Sequence, residues 1–275
     1  MIEMFSYGFI QRALLAGILI GVLCAVLGVF LVLRRLSLIG DGLAHTTFGA
    51  VALALFAGLQ GAAMLLVSLP AMLLVSIGIL KLASKARLGG DAAIGIVSSV
   101  GISLGVMLAV VGKGYGVDLF SYLFGSILAI SSAELVIAAA LFIIVMALLW
   151  FYYNELVALT FNEEIASVSG IKVGFLNNLL AALTALTVVL AMKLVGIMLI
   201  SALLILPASA ALQVARGFRM TVILAVLFSI FSVVGGIVIS FMLNLPSGAT
   251  IILLAFTVFS LSFLLRRIRA LSHRY

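Results

Sequence analysis

Charged side chains are scarce in this 275-residue chain, at 8% of positions against 66% hydrophobic, and the mean hydropathy is +1.48. That scarcity excludes a soluble domain, because no globule of this length can hide so much apolar surface. Cysteine is reduced to Cys24, which rules out an intrachain disulfide and, inside an apolar run, reads as a packing residue. Histidine occurs only at His45 and His273, and with eight acids and one thiol no nucleophile–base constellation is visible, which argues against a membrane enzyme. A phosphate-binding Gly-x-x-x-x-Gly-Lys-[Ser/Thr] is missing as well; Gly112-Lys113 lacks both the preceding glycine and the following hydroxyl. Any ATP-driven work must therefore be done by another chain. No small-residue cleavage pattern follows the first apolar run, so a cleavable signal peptide is not expected and that run stays.

What remains is an all-α polytopic membrane protein. Nine apolar runs reach the roughly 17 to 25 residues needed to cross the hydrocarbon core: 10–33, 42–60, 62–82, 92–112, 135–154, 173–193, 194–213, 220–243 and 249–265. The boundaries near Gly61 and Gly196 are soft, so eight or ten spans stay open. A net charge of +7 would suggest nucleic acid in a soluble protein, but here the basic residues lie in short connections and report orientation. Placing 34–41, 81–91, 155–172, 214–219 and the tail after 265 on one side gathers twelve of the fifteen, leaving Arg12, Lys113 and Lys193 elsewhere. Those connections are expected in the cytoplasm, with the C-terminus inside. His273, on the basic tail, reads as a solvated surface residue.

Arg34-Arg35-Leu36-Ser37-Leu38-Ile39-Gly40-Asp41-Gly42-Leu43-Ala44-His45 joins the first two runs and sets an acid and a histidine against the start of a membrane-grade helix. Four residues apart, Asp41 and His45 stack on one helical face if the helix starts near Asp41, about 5 to 6 Å apart at Cβ. An ionisable group at mid-bilayer costs roughly 2.5 to 3.5 kcal/mol on insertion scales, so such a pair faces a bundle interior or a wet path. The plainer reading makes Asp41 only the N-cap of the second helix and His45 an interfacial residue.

Two connections are more than turns. The segment 113–134 holds an apolar Val117-to-Leu128 stretch that reads as a re-entrant or interfacial helix. The segment 159–172 has the grammar of a short free helix: Asn162 as cap, an overlapping Thr160-x-x-Glu163 capping box, Glu163 and Glu164 in the first turn, and Gly170 as left-handed stop. Ile165 and Val168 form an apolar edge that wants a partner, and the acidic first turn disfavours an anionic bilayer surface as that partner. Farther on, Pro207 inside an apolar run frees a backbone carbonyl and is expected to kink its helix, with small residues after it permitting close approach.

Taken in order, the motif at 34–45, Val-Asp-Leu-Phe-Ser-Tyr-Leu-Phe-Gly-Ser at 117–126, Glu-Glu-Ile-Ala-Ser-Val-Ser-Gly at 163–170 and Gly-Ile-Met-Leu-Ile-Ser-Ala-Leu-Leu-Ile-Leu-Pro-Ala at 196–208 resemble the permease subunits of the bacterial zinc/manganese ABC importer family. The resemblance covers nearly the whole chain. It is nearest to the zinc-uptake branch, through the 117–126 stretch and the Gly-Leu-Ala-His form of the first motif. The resemblance implies a type II ABC importer-like permease, a single transmembrane domain over 1–275 in the bacterial cytoplasmic membrane. It implies a homodimer, a pair of cytoplasmic ATPase subunits, and an extracytoplasmic metal-binding protein that delivers Zn²⁺, with Mn²⁺ second, as transported substrate and no resident cofactor. By the same resemblance Asp41 and His45 match the pathway ligands, and Asn162, Glu163, Glu164, Ile165, Ala166, Val168 and Gly170 fall in the coupling helix that docks on the ATPase. Asn244 stands where many relatives carry an acid, which puts a metal role at the last outer turn in doubt. The competing function is a proton-coupled secondary metal transporter in which Asp41 and His45 titrate and no ATPase is needed.

Overall fold

A backbone in hydrocarbon has no water to bond, so long apolar runs close their hydrogen bonds within the segment and become helices. The computed structural model describes residues 7–85, 90–112, 125, 130–192, 196–197 and 200–272. Among them are eleven α-helices, one short 3-10 turn and no strand: α1 Gly8–Leu33, α2 Leu38–Phe56, α3 Leu65–Lys85, α4 Gly90–Val111, α5 Ser132–Phe151, α6 Tyr153–Phe161, α7 Glu163–Val168, α8 Val173–Ala191, α9 Ile200–Val214, α10 Phe218–Leu243 and α11 Ser247–Ser272. Eight are long and apolar enough to cross a membrane, and α9 is a shorter apolar helix. These nine match the nine apolar runs one for one. At 1.5 Å per residue, the 15 residues of α9 reach only about 22 Å, short of a hydrocarbon core of about 30 Å. Pro207 sits buried at the middle of α9, and the helix runs through it. Most of the 113–134 segment, including all of 117–124, lies outside the described residues.

The bundle is built in two layers. α1, α2 and α8 are mostly buried, while α3, α4, α5, α10 and α11 keep most of their surface outside. α1 packs on α5, α8, α9 and α10; α2 packs on α3, α4, α8 and α9. Small residues make these approaches possible, as lipid-embedded helices require. A Cβ on Gly28 of α1 would fall on the carbonyl oxygen of Leu204 in α9, one turn before Pro207. A Cβ on Gly49 of α2 would lie 2.7 Å from the carbonyl oxygen of Gly101 in α4, and one on Gly101 would lie 2.6 Å from Thr46 Cα. α1 and α10 are also joined by a hydrogen bond, Ser229 Oγ donating to the Gly21 carbonyl at 2.8 Å.

The two ends of the bundle differ. One gathers Arg34, Phe30 stacked against Phe218 at 5.3 Å, and Tyr152 against Phe175 at 5.6 Å. At the other end, Tyr7, Phe9 and Phe241 cluster, and Arg12 donates to Ser132 Oγ at 3.1 Å. There too α10 ends on Asn244, whose φ of 53° is left-handed, while Ser240 Oγ donates to the Leu245 carbonyl at 2.5 Å. Asparagine at this position thus has a backbone reason of its own, since it tolerates the left-handed region better than most residues.

Gly28→Val and Gly101→Leu should each destabilise the bundle by about 1 to 3 kcal/mol, because the intruding atoms meet backbone. Gly78→Ala, whose new Cβ meets nothing within 4 Å, should be neutral or better. Thermal unfolding in detergent micelles checks this; equal midpoints for all three would contradict the packing.

Candidate functional site

α2 begins earlier than the spacing of charge suggested. Arg35 adopts a left-handed φ of 57°, turning the chain sharply after α1, and Ser37 occupies the N-cap position without a side-chain cap bond. The capping role considered for Asp41 is therefore not observed: Asp41 lies inside the first turn of α2, where a carboxylate also sits well at the positive helix end. His45 follows one turn later, about 10 Å along the axis from Leu38. The two side chains meet as their spacing predicts, Nε2 of His45 lying 3.6 Å from Oδ2 of Asp41. That separation exceeds hydrogen-bond length, so neither group satisfies the other.

The clamp on α4 decides which way they point. Gly42, Leu43, Ala44, Thr46 and Thr47 are buried, and the two threonine hydroxyls donate back to the Gly42 and Leu43 carbonyls at 2.7 Å. In the first turns of α2 Leu38, Asp41 and His45 stay accessible; farther along the same face Gly49 and Ala52 are buried, and exposure returns at Leu53 and Phe56. Asp41 is 43% and His45 25% exposed, so the only acid and the only histidine of α2 are its two accessible ionisable groups.

Their geometry suits a cation. Metal–nitrogen and metal–oxygen bonds of about 2.0 to 2.2 Å to two atoms this far apart subtend roughly 110 to 130°, close to tetrahedral. Among the described residues no group of three or more His, Cys, Asp or Glu forms a fuller cage. Asp41 and His45 are thus a pair of metal-capable groups with no third such group gathered beside them among the described residues.

A second polar cluster adjoins the pair and was not foreseen. Arg34, first residue after α1, has a side chain only 7% exposed; its Nη1 donates to Asn177 Oδ1 of α8 at 2.6 Å and its Nη2 to Glu163 Oε2 of α7 at 3.1 Å. Burial pushes this guanidinium below its ordinary value, while the charge and hydrogen bond of Glu163 push it back up; an arginine remains a cation throughout. The α1–α2 joint carrying Asp41 is thereby tied to α7. Only the doublet Arg34-Arg35 signalled this in the sequence, and its partners, more than 120 residues away, left no local trace.

α7 follows its expected grammar with one correction. Asn162 caps it, accepting from the Ile165 N–H at 3.0 Å, whereas Thr160 turns away and donates to the Leu156 carbonyl at 2.6 Å, so the overlapping capping box does not form. Thr160 belongs to α6, a second helix that continues the chain from α5. Gly170, with φ 83°, closes α7 through paired bonds, its own N–H to the Ser167 carbonyl and that of Ile171 to the Ala166 carbonyl. Ala166 is buried, Glu163 and Glu164 face outward, and Phe161, Ile165 and Val168 stand exposed, Val168 at 90%. Asp41 and His45 thus come together, as do Asn162 to Gly170, while Pro207 stands apart in α9, between the Leu204 and Ala208 that face Gly28.

The model of the ABC 3 transport family matches residues 6–266. The chain belongs to that family. It is 33% identical over 261 residues to the manganese transport system membrane protein MntC of Halalkalibacterium halodurans, covering 95% of this chain and 88% of the relative. It is 34% identical over 250 residues to the high-affinity zinc uptake system membrane protein ZnuB of Haemophilus influenzae, covering 91% and 95%. Among solved structures, PsaBC from Streptococcus pneumoniae in complex with Fab superposes with a TM-score of 0.83 at 33% identity, covering 94% of this chain and 91% of that one. The family and these likenesses make the chain a multi-span membrane subunit of an ABC transporter.

Asn162→Ala should cost α7 about 1 kcal/mol by removing its cap. Amide hydrogen exchange should quicken across 163–168 while α8 stays protected, and Thr160→Val should leave exchange there unchanged; equal exchange in the Asn162 variant would contradict the capping account.

Proposed function

We propose that this chain is the permease subunit of an ATP-driven importer for a divalent transition metal, Zn²⁺ in the first place and Mn²⁺ in the second, with Asp41 and His45 as ligands on the pathway. The observation that carries this reading is the pair itself: two metal-capable atoms 3.6 Å apart in the accessible first turns of α2. Two ligands per chain make a weak site, and conduction needs a site that lets its ion go. A homodimer would bring two such pairs together and complete four protein ligands. Imidazole with carboxylate accepts zinc, manganese and iron, so selectivity falls largely to the extracytoplasmic protein that delivers the ion. Relatives named for manganese and for zinc stand at 33% and 34% identity, consistent with a pathway that serves either metal.

The coupling role assigned to α7 rests on its exposed apolar edge and its attachment. Ile165 and Val168 offer a docking ridge to a cytoplasmic ATPase, and Arg34 carries a displacement of α7 through Glu163 to the turn that begins α2. The basic end of the bundle then faces the cytoplasm, by the excess of Lys and Arg in its connections. The chain acts as one permease domain.

Metal uptake in cells lacking their own zinc importer, supplied with this chain and its ATPase and delivery protein, tests the reading. Asp41→Asn and His45→Ala should each lower zinc uptake by more than roughly tenfold at equal expression, and Ile165→Asp with Val168→Asp should abolish uptake while leaving the permease in the membrane. Undiminished uptake in the pair variants would remove the pathway role. Uptake that survives ATP depletion would favour a proton-coupled transporter using the same pair.

A further inference from the structure

Basic residues crowd the second half of the chain without any counter-charge of their own. No acid follows Glu164, yet Lys172, Lys193, Arg216, Arg219, Arg266, Arg267, Arg269 and Arg274 do. Arg266 is held by Gln213 Oε1 at 2.8 Å; among the described residues Arg216 and Arg269 have no carboxylate partner. These two arginines stand at the mouth of a groove of about 520 Å³ between α10 and α11. Its walls are apolar: Met220, Leu224 and Phe228 repeat every four residues along one face of α10, and Leu265 faces them from α11. The stripe on α10 is about 12 Å long at 1.5 Å per residue. The mouth has a third anion-seeking feature, because α10 starts at Gly217, which has no side chain to cap the free N–H groups of the first turn.

We infer that this groove is a binding site for an anionic phospholipid, its phosphate held by Arg216 and Arg269 and one acyl chain lying along Met220, Leu224 and Phe228. The rule that cations collect on one membrane face accounts for the side on which the arginines lie, but not for two of them flanking an apolar cleft. Guanidinium groups bind phosphate through paired N–H donors, and basic pockets between membrane helices select anionic headgroups. A free phosphate has no use for the apolar wall, and a protein segment has no need of two unpaired cations at its polar end. The occupant therefore joins both chemistries in one molecule.

The full chain, purified in detergent and titrated with phosphatidylglycerol or phosphatidylcholine, tests the site by native mass spectrometry. Phosphatidylglycerol should be retained in preference to phosphatidylcholine, and the double variant Arg216→Gln/Arg269→Gln should lose roughly tenfold or more of that retention. Leu224→Trp, which fills the groove and leaves the arginines in place, should lose it as well. In mixed vesicles of the two lipids, a photoactivatable phosphatidylglycerol should label the unaltered chain at 220–228 and 262–269, a readout that does not depend on any variant folding. Equal retention of the two lipids, or labelling spread evenly over the outer helices, would reduce the groove to ordinary bilayer contact and overturn the proposal. So would displacement of the lipid by millimolar inorganic phosphate, or a disulfide between two copies carrying Leu224→Cys, which would make the groove a contact between copies.

Discussion

Direct approach of backbone to backbone at Gly28, Gly49 and Gly101 is the constraint on which the centre of this bundle depends. Between helices immersed in hydrocarbon there is little hydrophobic gain, so close van der Waals packing must supply the adhesion. Here the approach also sets direction. With Gly49 against the Gly101 carbonyl and Gly101 against Thr46, α2 is fixed on α4 one turn beyond His45, and Asp41 and His45 stay accessible in the turns before that contact. The same principle at Gly28 fastens α1 to α9 at Leu204, three residues before Pro207. The placement of the pair thus depends on residues that carry no reactive group of their own.

Charge, being scarce, is spent where helices meet the membrane boundary. Arg34 is the informative case. A guanidinium 7% exposed is tolerable only because Asn177 and Glu163 accept from it, and those acceptors belong to the two helices flanking the Ser169–Lys172 turn. One cation therefore binds α1, α7 and α8 into a single joint next to the turn that starts α2. Left-handed Arg35 turns the chain sharply between this joint and the start of α2.

Much of this was legible beforehand, for identifiable reasons. Long apolar runs must become helices in lipid, so the order of the apolar helices followed from hydropathy; of the nine expected runs eight appear as helices long enough to span and one as the shorter α9. Asp41 and His45 declared themselves because four-residue spacing converts directly into one helical face. Asn162 and Gly170 were equally readable, since caps are written in local residue types. Thr160 misled: its hydroxyl found the Leu156 carbonyl within its own helix, a competition that a capping pattern does not reveal. The capping alternative for Asp41 arises because the apolar run proper begins just after it, whereas the backbone turn at Arg35 opens α2 at Leu38, three residues sooner. The partners of Arg34 were invisible, because contacts across more than 120 positions are a property of packing and not of spacing.

The central claim is that the transported ion rests on Asp41 and His45, and the most direct test is zinc X-ray absorption on the permease–ATPase assembly, prepared without its delivery protein and loaded with one equivalent of Zn²⁺. The account predicts a first shell of nitrogen and oxygen at about 2.0 to 2.2 Å with the outer scattering of imidazole, and loss of that imidazole signal in His45→Ala while the assembly stays intact. Imidazole scattering that persists unchanged in His45→Ala would place the ion elsewhere and contradict the account.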